Sequence, residues 1–222
     1  LGDYPNRNQA ASYAKGKYLK YVDADDLIYP YGLEQLVYYM EQFPEAGYGL
    51  CSLEQDKEKV FPFMLNPLKA YHRHYFNCSL FHKAPLSAIL KKDVFDKVGG
   101  FSGKRMLGDF EMWHILSSRF PVVLMPHGIV WYREHEEQEM KDHRMDPYEP
   151  YKYILLQKDL LNSDLCPLSP EDRNKIINKI KDREAKSILS AFIKHSLRKG
   201  YQLYKASDLK YWEVFWKGAF KK

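Results

Sequence analysis

Three carboxylates, Asp23, Asp25 and Asp26, stand within four consecutive positions at the end of the run Lys-Gly-Lys-Tyr-Leu-Lys-Tyr-Val-Asp-Ala-Asp-Asp, residues 15–26. Carboxylates so crowded repel one another unless a positive charge sits among them. Hard oxygen ligands at this spacing suit Mg²⁺ or Mn²⁺, which take one or two protein carboxylates and complete their shells with phosphate oxygens. The chemistry this points to is the holding of a metal-diphosphate. The competing reading is a solvated acidic turn that caps the next helix, since Asp is common at turns and N-caps. A fourth carboxylate, Asp109, opens the segment Asp-Phe-Glu-Met-Trp. At a helix's first turn the dipole favours the ionised state that a general base needs. A plain helix cap is again the alternative.

The elements around these residues are legible in part. Tyr18, Leu19, Tyr21 and Val22 are strand formers, so residues 17–22 read as a strand that carries the acidic cluster at its carboxyl end, where open α/β sheets place ligands. Residues 1–8 read as a turn and 9–15 as a short helix stopped by Gly16. Pro30 suits a first helical turn, and Leu33, Leu36, Val37, Met40 and Phe43 follow at helical spacing. Strands are expected at 48–53, 87–90, 121–125 and 128–132, with a surface loop at 55–59. A short helix at 93–98 ends at the pair Gly99-Gly100, and a helix from Asp109 is anchored by Phe110 and Trp113. Between 61 and 82, aromatics alternate with His72, Arg73, His74 and His82. That mixture could line an acceptor site; the preferred reading is a loop whose aromatics pack inward while its histidines face water. Their spacing argues against zinc.

Beyond Pro147 the composition shifts to helices at 148–162 and from Ser169 to about Gly200. A last segment from Ser207 mixes Leu209, Trp212, Phe215 and Trp216 with lysines. Such a basic, tryptophan-bearing helix can lie on a membrane surface, or its aromatics can cover another part of the protein or a second subunit. The division expected is 1–147 and 148–222.

The 222 residues, 45% hydrophobic and 28% charged, have a globular composition. No apolar run reaches the roughly 20 residues that a bilayer span needs. Cys51, Cys78 and Cys166 show no paired metal spacing and read as reduced thiols of a cytoplasmic protein. A net charge of +5 helps with phosphate-bearing ligands or anionic headgroups and does not indicate a nucleic-acid partner.

Four stretches in order resemble the family 2 glycosyltransferases, inverting enzymes of GT-A fold. They are Asn6-Arg7-Asn8 leading through Gly16 to Val22-Asp23-Ala24-Asp25-Asp26; Val98-Gly99-Gly100-Phe101; Asp109; and Tyr132-Arg133-Glu134-His135. The resemblance stops near Pro147. It implies a partial GT-A (Rossmann-like) α/β fold, a mixed sheet flanked by helices, followed by an α-helical C-terminal extension. It implies that Asp109 is the catalytic base, and that Arg7, Asp23, Asp25, Gly100 and Arg133 lie at the nucleotide-sugar. Asp25, Asp26 and His135 would bind Mg²⁺ or Mn²⁺.

Relatives commonly carry Glu-Asp where this chain has Gly108-Asp109, so a supporting acid is missing, and Glu111 could replace it only if the helix turned toward the site. They also carry an N-terminal nucleotide-binding half that would precede Leu1, so the isolated chain is expected to bind donor weakly. The donor implied is most commonly a UDP-sugar. The acceptor implied is a saccharide or lipid-linked one in bacterial surface-polysaccharide synthesis, and the protein itself is expected in the cytoplasm, peripheral to the inner face of the cell membrane through its C-terminal helices. Homo-oligomerisation stays open. The rival reading is a non-catalytic glycosyltransferase-like interaction or membrane-docking module; metal-dependent nucleotidyl transfer is a third, which leaves the Gly-Gly-Phe and Asp109 order without a reason.

Overall fold

A computed structural model describes residues 2–133 and 147–220. The chain divides into two compact units, residues 1–133 and 134–222.

The first unit is built on a sheet of order β1-β5-β3-β6-β4. Its strands are β1 (Tyr18–Leu19), β3 (Tyr48–Leu53), β4 (Phe63–Leu65), β5 (Ala88–Lys91) and β6 (Val122–Pro126). β3 runs parallel to β6 and antiparallel to β5, which is in turn antiparallel to β1. β1, β3 and β6 therefore point the same way, and their carboxyl ends share one edge. A short ribbon pairs β2 (Leu27–Ile28) with β7 (Val130–Trp131). β3 is central and almost wholly buried, as its run Tyr-Gly-Leu-Cys-Ser-Leu requires. α2 (Gly32–Glu41) lays Leu36 and Met40 on this sheet against Ile89, Val123 and Met125. α5 (Gly108–Arg119) leads into β6, so its amino end returns to the edge where β1, β3 and β6 finish.

Three expectations change. Residues 1–8 are not a turn: α1 runs Asp3–Tyr13, opened by a bond from the Asn6 N–H to the Gly2 carbonyl (3.1 Å) and pinned by buried Tyr4. Pro5 is tolerated because the first helical turn has no intrahelical use for its missing N–H. The strand expected at 17–22 contracts to two residues. Past Leu19, the Lys20 ammonium binds the Ala88 carbonyl (3.2 Å), and Tyr21 turns onto the rings of Phe95 and Phe101.

The 61–82 stretch is structured: after β4 comes α3 (Pro67–His72), which widens into a π-helical turn at Arg73–Asn77. His74 does not face water. It is buried, and its Nδ1 accepts bonds from the Leu80 and Phe81 N–H groups (both 3.1 Å). It stacks on Phe81 (4.3 Å) and lies edge-on to His114, whose burial lowers its pKa to about 3 and keeps it neutral.

The second unit consists, among the described residues, of α6 (Tyr148–Asn162), α7 (Pro170–Lys194), α8 (Leu197–Ala206) and α9 (Tyr211–Phe220). Ser169 and Ser196 cap α7 and α8 by accepting the N–H of Asp172 and Lys199. Tyr151, Ala185, Ile188, Ala191, Leu203, Leu209 and Val214 form its core. Within that core Glu184 is fully buried, taking a bond from the Tyr151 hydroxyl (2.7 Å) and an ion pair from Lys158 (3.1 Å). Among the described residues no helix is long and apolar enough to cross a membrane. Cys51 and Cys166 are buried, Cys78 is exposed, and all three are free thiols.

Candidate active site

Two residues of α1, three positions apart and so on one face of the helix, reach the two acidic centres. Arg7 donates from its guanidinium to Asp23 (2.8 Å) and, through Nε, to Asp3 (2.7 Å), while its backbone carbonyl takes the Tyr21 hydroxyl (3.2 Å). Those two carboxylates hold its pKa above the ordinary range despite burial. Tyr4, one turn earlier, is buried and donates its hydroxyl to Asp109. Three residues of α-helix rise about 4.5 Å, so one short stretch of α1 touches both the cluster after β1 and the amino end of α5.

Within the cluster the three carboxylates have different surroundings. Asp23 is neutralised by Arg7. Asp26 is buried; its backbone N–H bonds the Asp23 carbonyl (3.0 Å) and its Oδ1 accepts the Arg133 N–H (3.0 Å). Burial raises the Asp26 pKa, as do Asp25 and Asp23, against the Arg133 bond. The β2–β7 ribbon, with Leu27 opposite Trp131, brings Arg133 there, its guanidinium over the Trp131 ring (5.4 Å). Asp25 is half-buried beside them. Lys20 supplies a cation close by, its pKa lowered to about 8 by burial and partly restored by Cys51 and Asp26. Among the described residues no group of three or more His, Cys, Asp or Glu is arranged to hold a metal ion. Mg²⁺ bound with a diphosphate needs only one or two protein carboxylates, and Asp25 and Asp26 provide that number. His135, the expected third ligand, lies outside the described residues.

Asp109 sits in the first turn of α5, as the sequence predicts, but its electrostatics run the other way. Burial outweighs the helix end and raises its pKa to about 6, against bonds from the Phe110 N–H (2.7 Å) and the Tyr4 hydroxyl. A carboxylate so poised is still mostly ionised at neutral pH and is a stronger base than an ordinary Asp. Gly108 is explained by Tyr4: a Cβ there would stand 2.7 Å from two carbons of the Tyr4 ring. The tyrosine occupies the room that a side chain at 108 would take. Glu111 is not turned toward the site; it binds the Ser102 hydroxyl and the Lys104 ammonium (2.7 Å).

The glycine pair is tied to the same helix. Gly99 (φ 85°) caps α4 (Lys92–Val98) in the left-handed conformation, and Gly100 (φ 73°) follows it. Asn8 then clamps Phe101 from both sides, donating to its carbonyl (2.8 Å) and accepting its N–H (2.9 Å). A Cβ at Gly100 would lie 2.7 Å from the Asn8 Oδ1. The Arg-Asn and Gly-Gly-Phe segments are thus one hydrogen-bonded assembly. On the same sheet edge, past β3, a cavity of about 610 Å³ is lined by Glu54, Asp56, Lys59, Cys78 and Lys83, with Arg73 paired to Asp56. Tyr4 and Lys20 escaped sequence reasoning. Tyr4 becomes visible only if α1 is started at Asp3, which puts it one turn from Arg7.

Residues 2–99 match the family model described as Glycosyl transferase family 2. No curated protein matches the chain. Among solved structures, S. aureus TarS 1–349 in complex with UDP-GlcNAc is similar at a TM-score of 0.64, 16% identity, 92% of this chain and 60% of that one. S. aureus TarS 1–349 in complex with UDP gives 0.60, 14%, 90% and 57%. The chain spans about 60% of the length of these structures, and at such identity the likeness is one of fold. The described architecture is a partial GT-A fold, and within its first unit residues 2–99 are similar to glycosyl transferase family 2.

Proposed function

We propose that the first unit catalyses transfer of a sugar from a nucleotide-diphosphate-sugar to an acceptor hydroxyl, with inversion at the anomeric carbon. The observation that carries this is the face of α1 from which Tyr4 holds Asp109 and Arg7 holds Asp23. It joins a poised base to a diphosphate-binding cluster in one site. Asp109 takes the proton from the acceptor hydroxyl as its oxygen attacks the anomeric carbon; the bond to the diphosphate breaks, and no enzyme nucleophile is needed. Asp25 and Asp26 would hold Mg²⁺ or Mn²⁺, which when bound offsets the negative charge on the departing diphosphate. Arg7, Asp23 and Arg133 order the cluster, and Gly100 shapes the neighbouring backbone.

The missing acid at 108 does not favour loss of catalysis, because a buried tyrosine bonded to Asp109 fills its place. The TarS complexes hold UDP-GlcNAc and UDP, which supports a UDP-sugar as donor, with a saccharide or lipid-linked acceptor. The test is a screen of nucleotide-sugars for Mn²⁺-dependent hydrolysis and transfer, with Asp109→Asn as the control. Transfer lost in that variant while metal-dependent nucleotide binding persists is expected; an active variant removes Asp109 as base.

A further inference from the structure

The second unit is amphipathic in the opposite sense to a helix that finishes a core. On α9 the inward side is small: Val214 is buried, Gly218 approaches Ala185 and Leu189 of α7, and Lys217 pairs with Asp182 (3.1 Å). The large side chains are on the other side. Tyr211, Trp212, Phe215 and Trp216 recur at i, i+1, i+4 and i+5 and are 49–63% exposed. The patch continues onto the neighbouring helices. Tyr201, Tyr204, Tyr211 and Phe215 form a chain of rings 5.2–6.5 Å apart. Ile193 and Leu197, eight and four residues before Tyr201, are 73% and 79% exposed.

The charge around this face is one-sided. The whole chain has a net charge of +5, yet residues 191–222 alone hold eight lysines and arginines against two acids. Both acids are engaged, Asp208 by Lys158 and Lys181 (3.2 Å), and Glu213 by the Lys210 N–H (2.9 Å). Lys194, Arg198, Lys205 and Lys210 are exposed beside the aromatic patch, with Lys205 over the Tyr201 ring (5.5 Å). Tryptophan and tyrosine prefer the headgroup level of a bilayer, and clustered cations are drawn to acidic lipids.

We propose that the face made by α8 and α9 lies flat on an anionic lipid bilayer, tryptophans in the headgroup layer and the cations on acidic headgroups. This rests on the second unit alone and stands or falls separately from the proposed transferase chemistry.

The experiment is flotation of the full chain with phosphatidylcholine vesicles with and without phosphatidylglycerol, at low and high salt, alongside tryptophan quenching by brominated lipids. Binding is expected only to the phosphatidylglycerol vesicles, falling away near 1 M salt, where the screening length drops to about 3 Å. Quenching should reach Trp212 and Trp216 and spare fully buried Trp113. Replacing Arg198 and Lys205 with Ala should weaken binding about 25-fold, roughly fivefold for each cation. Trp212→Ala with Trp216→Ala should abolish quenching while circular dichroism stays unchanged. Equal binding to neutral vesicles, no binding at all, or self-association that buries these tryptophans without lipid would each overturn the proposal.

Discussion

Replacing Tyr4 with Phe isolates one hydrogen bond. The ring that packs on Gly108 and on Phe101 (5.1 Å) stays, and only the hydroxyl donated to Asp109 is removed. A hydrogen bond to a charged group contributes about 1.5–3 kcal/mol, and one pKa unit corresponds to about 1.4 kcal/mol. Loss of the donor should therefore raise the Asp109 pKa by roughly 1–2 units from its present value of about 6. As the proposed base, Asp109 must be ionised to act, so the acid limb of kcat/KM against pH should shift upward by that amount. At pH 7 the ionised fraction would fall from about nine-tenths to between roughly one-tenth and one-half. Near pH 9 the variant should approach the parent rate. The assay is the pH profile of sugar transfer at subsaturating donor. An unmoved acid limb, or a loss equal at every pH, would refute the reasoning that Tyr4 tunes this carboxylate.

The raised pKa of Asp109 also has a stability consequence. Its native form binds a proton more tightly than the unfolded chain does, so stability falls as pH rises from 3.8 to about 6 and is level above. Asp109→Asn removes that loss, so it should be the more stable protein above pH 6, by on the order of 1–3 kcal/mol, with no advantage below pH 3.8; urea unfolding at several pH values checks this. Gly108→Ala should cost about 1–3 kcal/mol by overpacking against the Tyr4 ring, and adding Tyr4→Ala should cost much less than the sum of the two single changes. Glu184→Ala leaves the Tyr151 hydroxyl without its buried acceptor and leaves Lys158 with Asp208 alone, and should cost about 1–3 kcal/mol, read as a lower urea midpoint for the second unit.

Much of the sheet was readable in residue order. β3 fell at the expected 48–53, because Tyr-Gly-Leu-Cys-Ser-Leu is an apolar run that only a central strand satisfies. α5 and α6 also followed their patterns. The 61–82 stretch was misread because His74 looks like a solvent residue by type, whereas its ring nitrogen satisfies two buried N–H groups. His74 lies in a π-helical turn, which no periodicity announces.

By itself the sequence determined which residue types stand where chemistry is proposed: the acidic triplet after a strand, the glycine pair and the aspartate opening a helix are local patterns, fixed by residue type and spacing. Only the tertiary structure decided what each is worth. Asp109 has its raised pKa because distant residues bury it, and Asp23 is neutralised because α1 carries Arg7 to it across sixteen positions. Burial and long-range ion pairing depend on which segments meet, and a chain read in order shows its neighbours only along the backbone.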